Sequence, residues 1–178
     1  MKIIQTSIKN LLIIKQKNNI DKRGFLRETY NKKVFGNKKF VFEYCTTSKK
    51  DVIRGFHFQT KFQQAKLVTV LKGKILDVVI DLRKNSPSFG KTFKMILSAK
   101  NATSLFIPEG FAHAYYSYEK ENIIYYKLSN YYKPSFENGI IYNDKSLKLT
   151  WPKKKNKISN KDKKLLTFKK FYKIFKGL

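Results

Sequence analysis

Many short β-prone segments and few helical periods predict an all-β fold for this chain, either a sandwich or a barrel. From residue 2 to about residue 151, most segments are rich in Val, Ile, Phe, Tyr and Thr and are separated by turn residues. The clearest is KLVTVLKGKILDVVIDLR (66–83), where Lys72-Gly73 separates two β-prone runs and predicts a hairpin. Turns are expected at 85–90, 98–103 and 107–113, and strands in KTFKMILS and NIIYYKLS.

Residues 164–178 differ from the preceding 1–163, which we expect to form one domain. In KLLTFKKFYKIFKGL, apolar residues recur at steps of three and four, with lysines between them, which is typical of an amphipathic helix. They are Leu165, Phe168, Tyr172, Phe175 and Leu178. We expect this basic segment to be helical and packed on the same domain, and adhesion to a membrane surface is the alternative.

The charge of the chain is extreme, but its distribution is dispersed. The formal net charge of +27 would ordinarily indicate nucleic acid or an anionic membrane as the partner. Of the 39 basic residues, 4 are arginines and 39 − 4 = 35 are lysines spread along the chain, so we expect a lysine-rich solvated surface and no nucleic-acid partner. The arginines are Arg23, Arg27, Arg54 and Arg83, and they are more informative because only a guanidinium binds phosphate or carboxylate in a bidentate manner. For Arg83 we expect a structural role.

Cysteine usage and the first residues favour a soluble cytoplasmic protein. Cys45 is the only cysteine, which excludes an internal disulfide and fits a reducing compartment. A lone cysteine is most often a small buried residue. The start, MKIIQTSIKNLLIIKQ, has apolar runs that polar residues interrupt too early for a signal peptide or a membrane span, so no stable membrane insertion is expected.

The candidates for chemistry are the two histidines, His57 in RGFHFQ and His113 in EGFAHAYY. Two separated histidines without a His-x-His pair do not form a cupin-type metal site, and phosphate-binding glycine loops and a Gly-x-Ser-x-Gly elbow are absent. We therefore expect no metal and no cofactor, and acid–base chemistry by side chains. A purely structural histidine is the alternative. Strict alternation would separate Arg54 from His57, unless Gly55 permits a bulge.

Seven stretches, in order, resemble the nucleotide-sugar 3,5-epimerases of the dTDP-4-dehydrorhamnose 3,5-epimerase family. They are RGFLRETY (23–30), VIRGFHFQ (52–59), QQAKLVTVLKGKILDVVIDLRKNSPSFGK (63–91), LFIPEGFAHAYY (105–116), YYKLSNYYKPSFENGIIYND (125–144), TWP (150–152) and ISNKD (158–162). The resemblance implies a cupin-like jelly roll or β-sandwich with short peripheral helices. It also implies a homodimer that acts without metal or cofactor on a nucleotide-diphospho 4-keto-6-deoxy sugar in surface-polysaccharide assembly.

The same resemblance implies a role for four residues at the reacting atoms. His57 resembles the family's base, and Asp162 resembles the carboxylate that orients it. Tyr126 resembles the proton donor on the opposite face of the sugar, and Lys66 resembles the cation that stabilises the enolate. A C4 carbonyl acidifies the hydrogens on C3 and C5, so a base on one side and a donor on the other would suffice.

The resemblance also implies residues that contact the rest of the substrate. Arg23 and Glu28 are expected from the partner subunit, against the nucleotide, and Tyr132 is expected to stack on the base, with Tyr131 as the alternative. The complete expected set of substrate-binding residues is Arg23, Glu28, Arg54, His113, Tyr132, Glu137 and Lys161.

One departure from the family pattern concerns nucleotide recognition. Phe42 and Tyr44 stand where the family has a Gln-x-Asn element, which removes amide groups that could read a base or sugar edge. The first candidate for the substrate is dTDP-4-dehydro-6-deoxyglucose, and the alternative is a GDP-linked 4-keto sugar or heptose. Inversion at C3 alone is an alternative to inversion at C3 and C5. A cupin binding module without catalysis is the alternative from another class.

Overall fold

The computed structural model describes residues 1–178, and its two main elements are antiparallel sheets that pack face to face. The strands are β1 (Lys2–Gln5), β2 (Leu12–Lys15), β3 (Asn18–Asp21), β4 (Gly24–Arg27), β5 (Phe42–Ser48), β6 (Ile53–Gln59), β7 (Lys66–Lys72), β8 (Lys74–Asp81), β9 (Thr92–Ser98), β10 (Thr103–Ile107), β11 (Phe111–Ser117), β12 (Asn122–Leu128) and β13 (Glu137–Gly139). The helices are α1 (Lys32–Phe35) and α2 (Phe168–Phe175). The predicted all-β jelly roll with short peripheral helices is confirmed.

Strand order places both histidines, Lys66 and Tyr126 on inner strands of the two facing sheets. The six-stranded sheet has the order β1-β2-β10-β7-β12-β5, and the five-stranded sheet has the order β13-β6-β11-β8-β9. A separate ribbon pairs β3 with β4. The strands that carry the two histidines, β6 and β11, are neighbours in the smaller sheet, while β7, β12 and β5 form the facing wall.

The predicted hairpin at Lys72-Gly73 is wrong, although both of its strands exist. β7 pairs with β10 and β12, whereas β8 pairs with β9 and β11, so the chain crosses from one sheet to the other at Gly73. At φ +81° a Cβ on Gly73 would lie 2.5 Å from Oδ1 of Asn122, so this tight crossing requires glycine. Local turn chemistry did not distinguish a hairpin from a sheet-to-sheet corner.

Alternation along the strands divides the apolar residues into three clusters. The central cluster lies between the sheets and includes Val68, Val79 and Ile124. A second cluster covers the outer face of the five-stranded sheet, and a third, around Phe35 and Phe106, covers the outer face of the six-stranded sheet. Both sheets are therefore packed on two faces, which explains the nearly continuous burial of the inner strands β7, β8, β10 and β11. Strand β12 still alternates between buried and partly buried residues.

The C-terminal segment contributes α2, which packs on the outer face of the five-stranded sheet. Thr167 caps it, accepting a hydrogen bond from the Lys170 N–H. Phe171 is fully buried and contacts Phe58 edge to face, with ring centroids 5.3 Å apart. The expected apolar face included Tyr172, but Tyr172 is exposed, and the face that α2 packs on the sheet is formed by Phe168, Phe171 and Phe175.

Two further features bear on the expectations about location. No helix of the protein has the length and apolar character needed to cross a membrane. Cys45 is exposed on β5, so the expectation of a buried cysteine is wrong.

Arg83 forms an ion pair with the buried Asp81 at 2.7 Å, in agreement with a structural role.

Candidate active site

A bulge in β6 places Arg54 and His57 on the same face of the sheet. In the pairing of β6 with β11, His57 lies opposite His113, and Arg54 lies opposite Tyr115, so the register shifts between the two pairs. Gly55 makes this possible: at φ +111° an added Cβ would lie 2.4 Å from the carbonyl oxygen of His113. The bulge that the sequence required for an Arg54–His57 site is present.

His57 is held by the carboxylate of Asp162. Its Nε2 lies 2.8 Å from Asp162 Oδ1, and Asp162 Oδ2 accepts a hydrogen bond from the Gly55 N–H at 3.1 Å. Burial raises the pKa of Asp162, but the bonds from His57 and Gly55 outweigh it and leave the pKa below its usual value. An N–H at Nε2 donated to this anion leaves Nδ1 as the basic nitrogen of the ring.

Tyr126 lies on the opposite wall, in β12 of the six-stranded sheet. It is buried at 4% exposure, and its ring stacks on that of Tyr44 with centroids 4.9 Å apart and an interplanar angle of 26°. Burial, together with the neighbouring phenols of Tyr115 and Tyr44, raises the pKa of Tyr126 well above its ordinary value. A phenol in this state keeps its proton at neutral pH and can serve as a donor.

Lys66 is the cation of the interior. It opens β7, on the same wall as Tyr126, and desolvation lowers its pKa to about 8 despite the opposing effect of Glu137 and Asp77. A half-buried ammonium in this environment interacts strongly with any negative charge that develops beside it, because little water screens it.

A second histidine–aspartate pair lies beside the first. His113 Nε2 is 2.5 Å from Oδ1 of Asp77, and both side chains are buried, at 5% and 0% exposure. The other carboxylate oxygen of Asp77 receives no hydrogen bond from the protein. His113 also contacts Tyr126, with ring centroids 6.0 Å apart.

One cavity of about 530 Å³ joins most of these side chains. His57 and Tyr126 reach it from opposite sheets. Of the residues predicted from the sequence, it is lined by His57, Tyr126, Asp162, Lys66, Arg54, His113 and Lys161. Its volume suits a sugar ring with part of its substituents.

Four predicted residues do not line this cavity. Tyr132 and Glu137 line a smaller cavity of about 80 Å³ that shares His57, Lys66 and Tyr44 with the larger one. Arg23 and Glu28 are exposed at and beside the β3–β4 ribbon, where Arg23 pairs with Asp21 at 2.6 Å. Within a single chain, therefore, the ribbon does not contribute to the site.

Sequence reasoning missed Asp77 and, on β5, Ser48. Asp77 interrupts the apolar run ILDVVID, and a charged residue inside a strand buried on both faces is a signal that could have found it. Ser48 of β5 links two cavity residues: it accepts from Arg54 Nε at 3.1 Å and lies 2.8 Å from the Tyr115 hydroxyl. No group of three or more His, Cys, Asp or Glu side chains is placed to hold a metal ion.

A cupin-like jelly roll with acid–base side chains on opposite walls of one cavity is typical of an isomerase that moves protons with its own residues. The chain belongs to the dTDP-4-dehydrorhamnose 3,5-epimerase family, whose sequence profile matches residues 5–170. A curated family member from Shigella flexneri is 42% identical over 168 residues, which cover 91% of this chain and 93% of the relative.

Solved structures agree with this assignment. The dTDP-4-dehydrorhamnose 3,5-epimerase of Bacillus anthracis, solved with TDP and pyrophosphate, has a TM-score of 0.90 at 37% identity and covers 94% of this chain and 99% of its own. The dTDP-6-deoxy-D-glucose-3,5-epimerase of Legionella pneumophila, solved with dTDP-4-keto-L-rhamnose, has a TM-score of 0.88 at 37% identity, covering 93% and 92%.

Proposed function

We propose that this protein inverts C3 and C5 of dTDP-4-dehydro-6-deoxyglucose without a cofactor. The observation that carries the proposal is that the imidazole of His57 and the phenol of Tyr126 face one cavity from opposite sheets. Epimerisation next to a ketone needs a base on one side of the ring and a donor on the other, and this arrangement supplies both.

The reaction then proceeds in two proton transfers at each carbon. Nδ1 of His57 removes the proton next to the carbonyl, and the electron pair moves into the carbonyl to give an enolate. Lys66 stabilises the enolate oxygen, and Asp162 stabilises the imidazolium. Tyr126 donates its proton to the opposite face of the carbon as the ketone reforms. Tyr126 then regains a proton from solvent, and the imidazolium releases one.

We also propose binding roles for the residues that surround the reacting atoms. Arg54 and His113 line the cavity and are placed to contact the sugar. Lys161 donates to Glu137, which also accepts from the Tyr132 hydroxyl at 2.7 Å. This linked group lies at the outer end of the site, and Tyr132 is 46% exposed there, so its ring face is open to a nucleobase.

A homodimer would account for Arg23 and Glu28. The β3–β4 ribbon exposes Ile20 at 78% and Leu26 at 69%, and such apolar side chains on a projecting ribbon favour burial against another subunit. In this arrangement the ribbon of one subunit would bring its Arg23 and Glu28 to the nucleotide of the partner. Sedimentation of the wild type as a dimer, and of Leu26→Asp as a monomer, is the expected result.

Solvent deuterium exchange tests the chemistry. In D₂O with dTDP-4-dehydro-6-deoxyglucose, we expect deuterium at both C3 and C5 and formation of the inverted product. Both are measured by NMR. Deuterium at C3 alone would restrict the activity to one centre. Binding without any exchange would contradict the proposal and favour the non-catalytic binding module.

A nucleotide panel tests the substrate. A ligand at about 100 times its dissociation constant stabilises the folded state by about 2.7 kcal/mol, and a ligand that binds more weakly stabilises it less at the same concentration. If dTDP is the preferred nucleotide, it should raise the melting temperature more than GDP, UDP or CDP does. A larger shift with GDP would contradict the dTDP assignment and leave the epimerase chemistry intact.

A further inference from the structure

Tyr44 lies directly opposite Tyr126 in the pairing of β5 with β12. Directly opposite residues of an antiparallel pair project from the same face of the sheet, here into the space between the sheets. Tyr44 lines both the main cavity and the smaller one that contains Tyr132 and Glu137. It therefore stands where the sugar-sized cavity meets the outer end of the site.

The ring of Tyr126 is held on two sides. Tyr44 covers one face in a nearly parallel stack, and His113 approaches at 66° with its centroid 6.0 Å away. A tyrosine side chain has two main torsions, and a ring that stacks on one side and meets an edge on another has little freedom in either. Tyr44 is in turn supported by Phe42, whose centroid is 5.7 Å away.

We propose that Tyr44 is a positioning residue that fixes the ring of Tyr126, so that its hydroxyl reaches the reacting carbon from the face opposite His57. This inference rests on the proposed function, in which Tyr126 is the proton donor. A displacement of a reacting group by about 1 Å can cost about 10²-fold in rate, so a ring that fixes the donor has a large effect on donation. It has little effect on the earlier proton removal, because His57 is held separately by Asp162.

The position of Tyr44 makes the experiment practical. Tyr44 lies on an edge strand and is 38% exposed, so its removal leaves the central cluster intact. Desolvation in the site, followed by nearby Tyr115 and Glu137, raises the pKa of Tyr44 to about 12, so the phenol is neutral in the assay and neither substitution changes the charge of the site.

The test compares Tyr44→Ala with Tyr44→Phe in D₂O, measuring deuterium exchange and net inversion in the same sample. With the ring lost, we expect net inversion to fall about tenfold or more while exchange falls less than about threefold. Tyr44→Phe keeps the stack and should restore the wild-type ratio of inversion to exchange. Tyr125→Ala is the matched control, because Tyr125 precedes Tyr126 on β12 but does not line the cavity.

Three outcomes would overturn the inference. One is an unchanged ratio in Tyr44→Ala, and another is an equal loss of exchange and inversion, which would indicate a general role in binding or packing. The third is wild-type protein without exchange, which would remove the proposed function as well and is thereby distinguishable. If Tyr44→Ala does not fold, Tyr44→Leu keeps apolar volume without a ring and is subject to the same criteria.

Discussion

The two histidine–aspartate pairs of this protein use the same side chains in different environments. His57 is 30% exposed towards the cavity, and its partner Asp162 accepts from a backbone N–H as well. His113 is almost fully buried, and Asp77 beside it has one oxygen without a hydrogen bond from the protein. The difference teaches why the proposed base is His57: a base needs access to substrate and a carboxylate behind it whose oxygens are hydrogen-bonded, and only the His57–Asp162 pair combines the two.

The largest expected effect is that of His57→Ala. Removal of the base should reduce deuterium exchange by about 10⁴-fold, the upper end of what a general base supplies. His113→Ala should cost about 10²-fold or less, because the proposed mechanism gives His113 a binding role and no part in proton removal. Exchange rates followed by NMR provide the comparison. If the two variants lost equal activity, the assignment of the base to one pair would be wrong.

The next largest effect is that of Asp162→Asn. The carboxamide would donate to Nε2 of His57, which moves the ring proton to Nδ1 and removes the basic nitrogen from the cavity. In a comparable pair such a change costs about 10⁴-fold, and we expect about 10³-fold here, smaller than the loss of the imidazole itself. The measurement is kcat for net inversion, with a thermal melt to show that the variant is folded. Activity within tenfold of wild type would contradict the orienting role.

A smaller effect is expected on the pH dependence of kcat/KM, through the influence of Asp77 on the pKa of Lys66. The proposed mechanism requires the ammonium form of Lys66, which is lost as pH rises through its pKa of about 8, so kcat/KM should fall about tenfold per pH unit above that value. Asp77 raises the pKa of Lys66, so Asp77→Asn should move this limb to lower pH. Glu121→Gln, which removes the charge of an exposed ion pair with Lys72, is the control and should not shift the alkaline limb of the kcat/KM profile. A limb that does not move in Asp77→Asn would contradict the coupling.

The smallest expected effect is on acid stability. Because the folded pKa of Asp162 is lowered, the stability that this group contributes is present above the unfolded pKa of about 3.9 and is lost as pH falls through the folded value. Asp162→Asn should therefore lose less stability than wild type on going from about pH 5 to acid. Urea unfolding at several pH values measures this, and parallel curves for the two proteins would count against it.

Some parts of the site could be predicted from the sequence, and others could not. The residues proposed to act at the reacting atoms could be found because they lie in motifs shared with a family, and His57 and Tyr126 do face one cavity. Asp77 was missed because its partner His113 is 36 residues away, and only pairing of β8 with β11 brings them together. The stack of Tyr44 on Tyr126 likewise depends on the register of β5 against β12.

By itself, the sequence determined the strands, their buried character and the chemical groups available, because alternation and composition act over a few residues. The tertiary structure decided which strands pair: β7 and β8 entered different sheets, and Phe171 rather than Tyr172 turned inward on α2. The physical reason is that local patterns specify which residues are buried, whereas pairing and register are chosen by contacts between segments far apart in the chain.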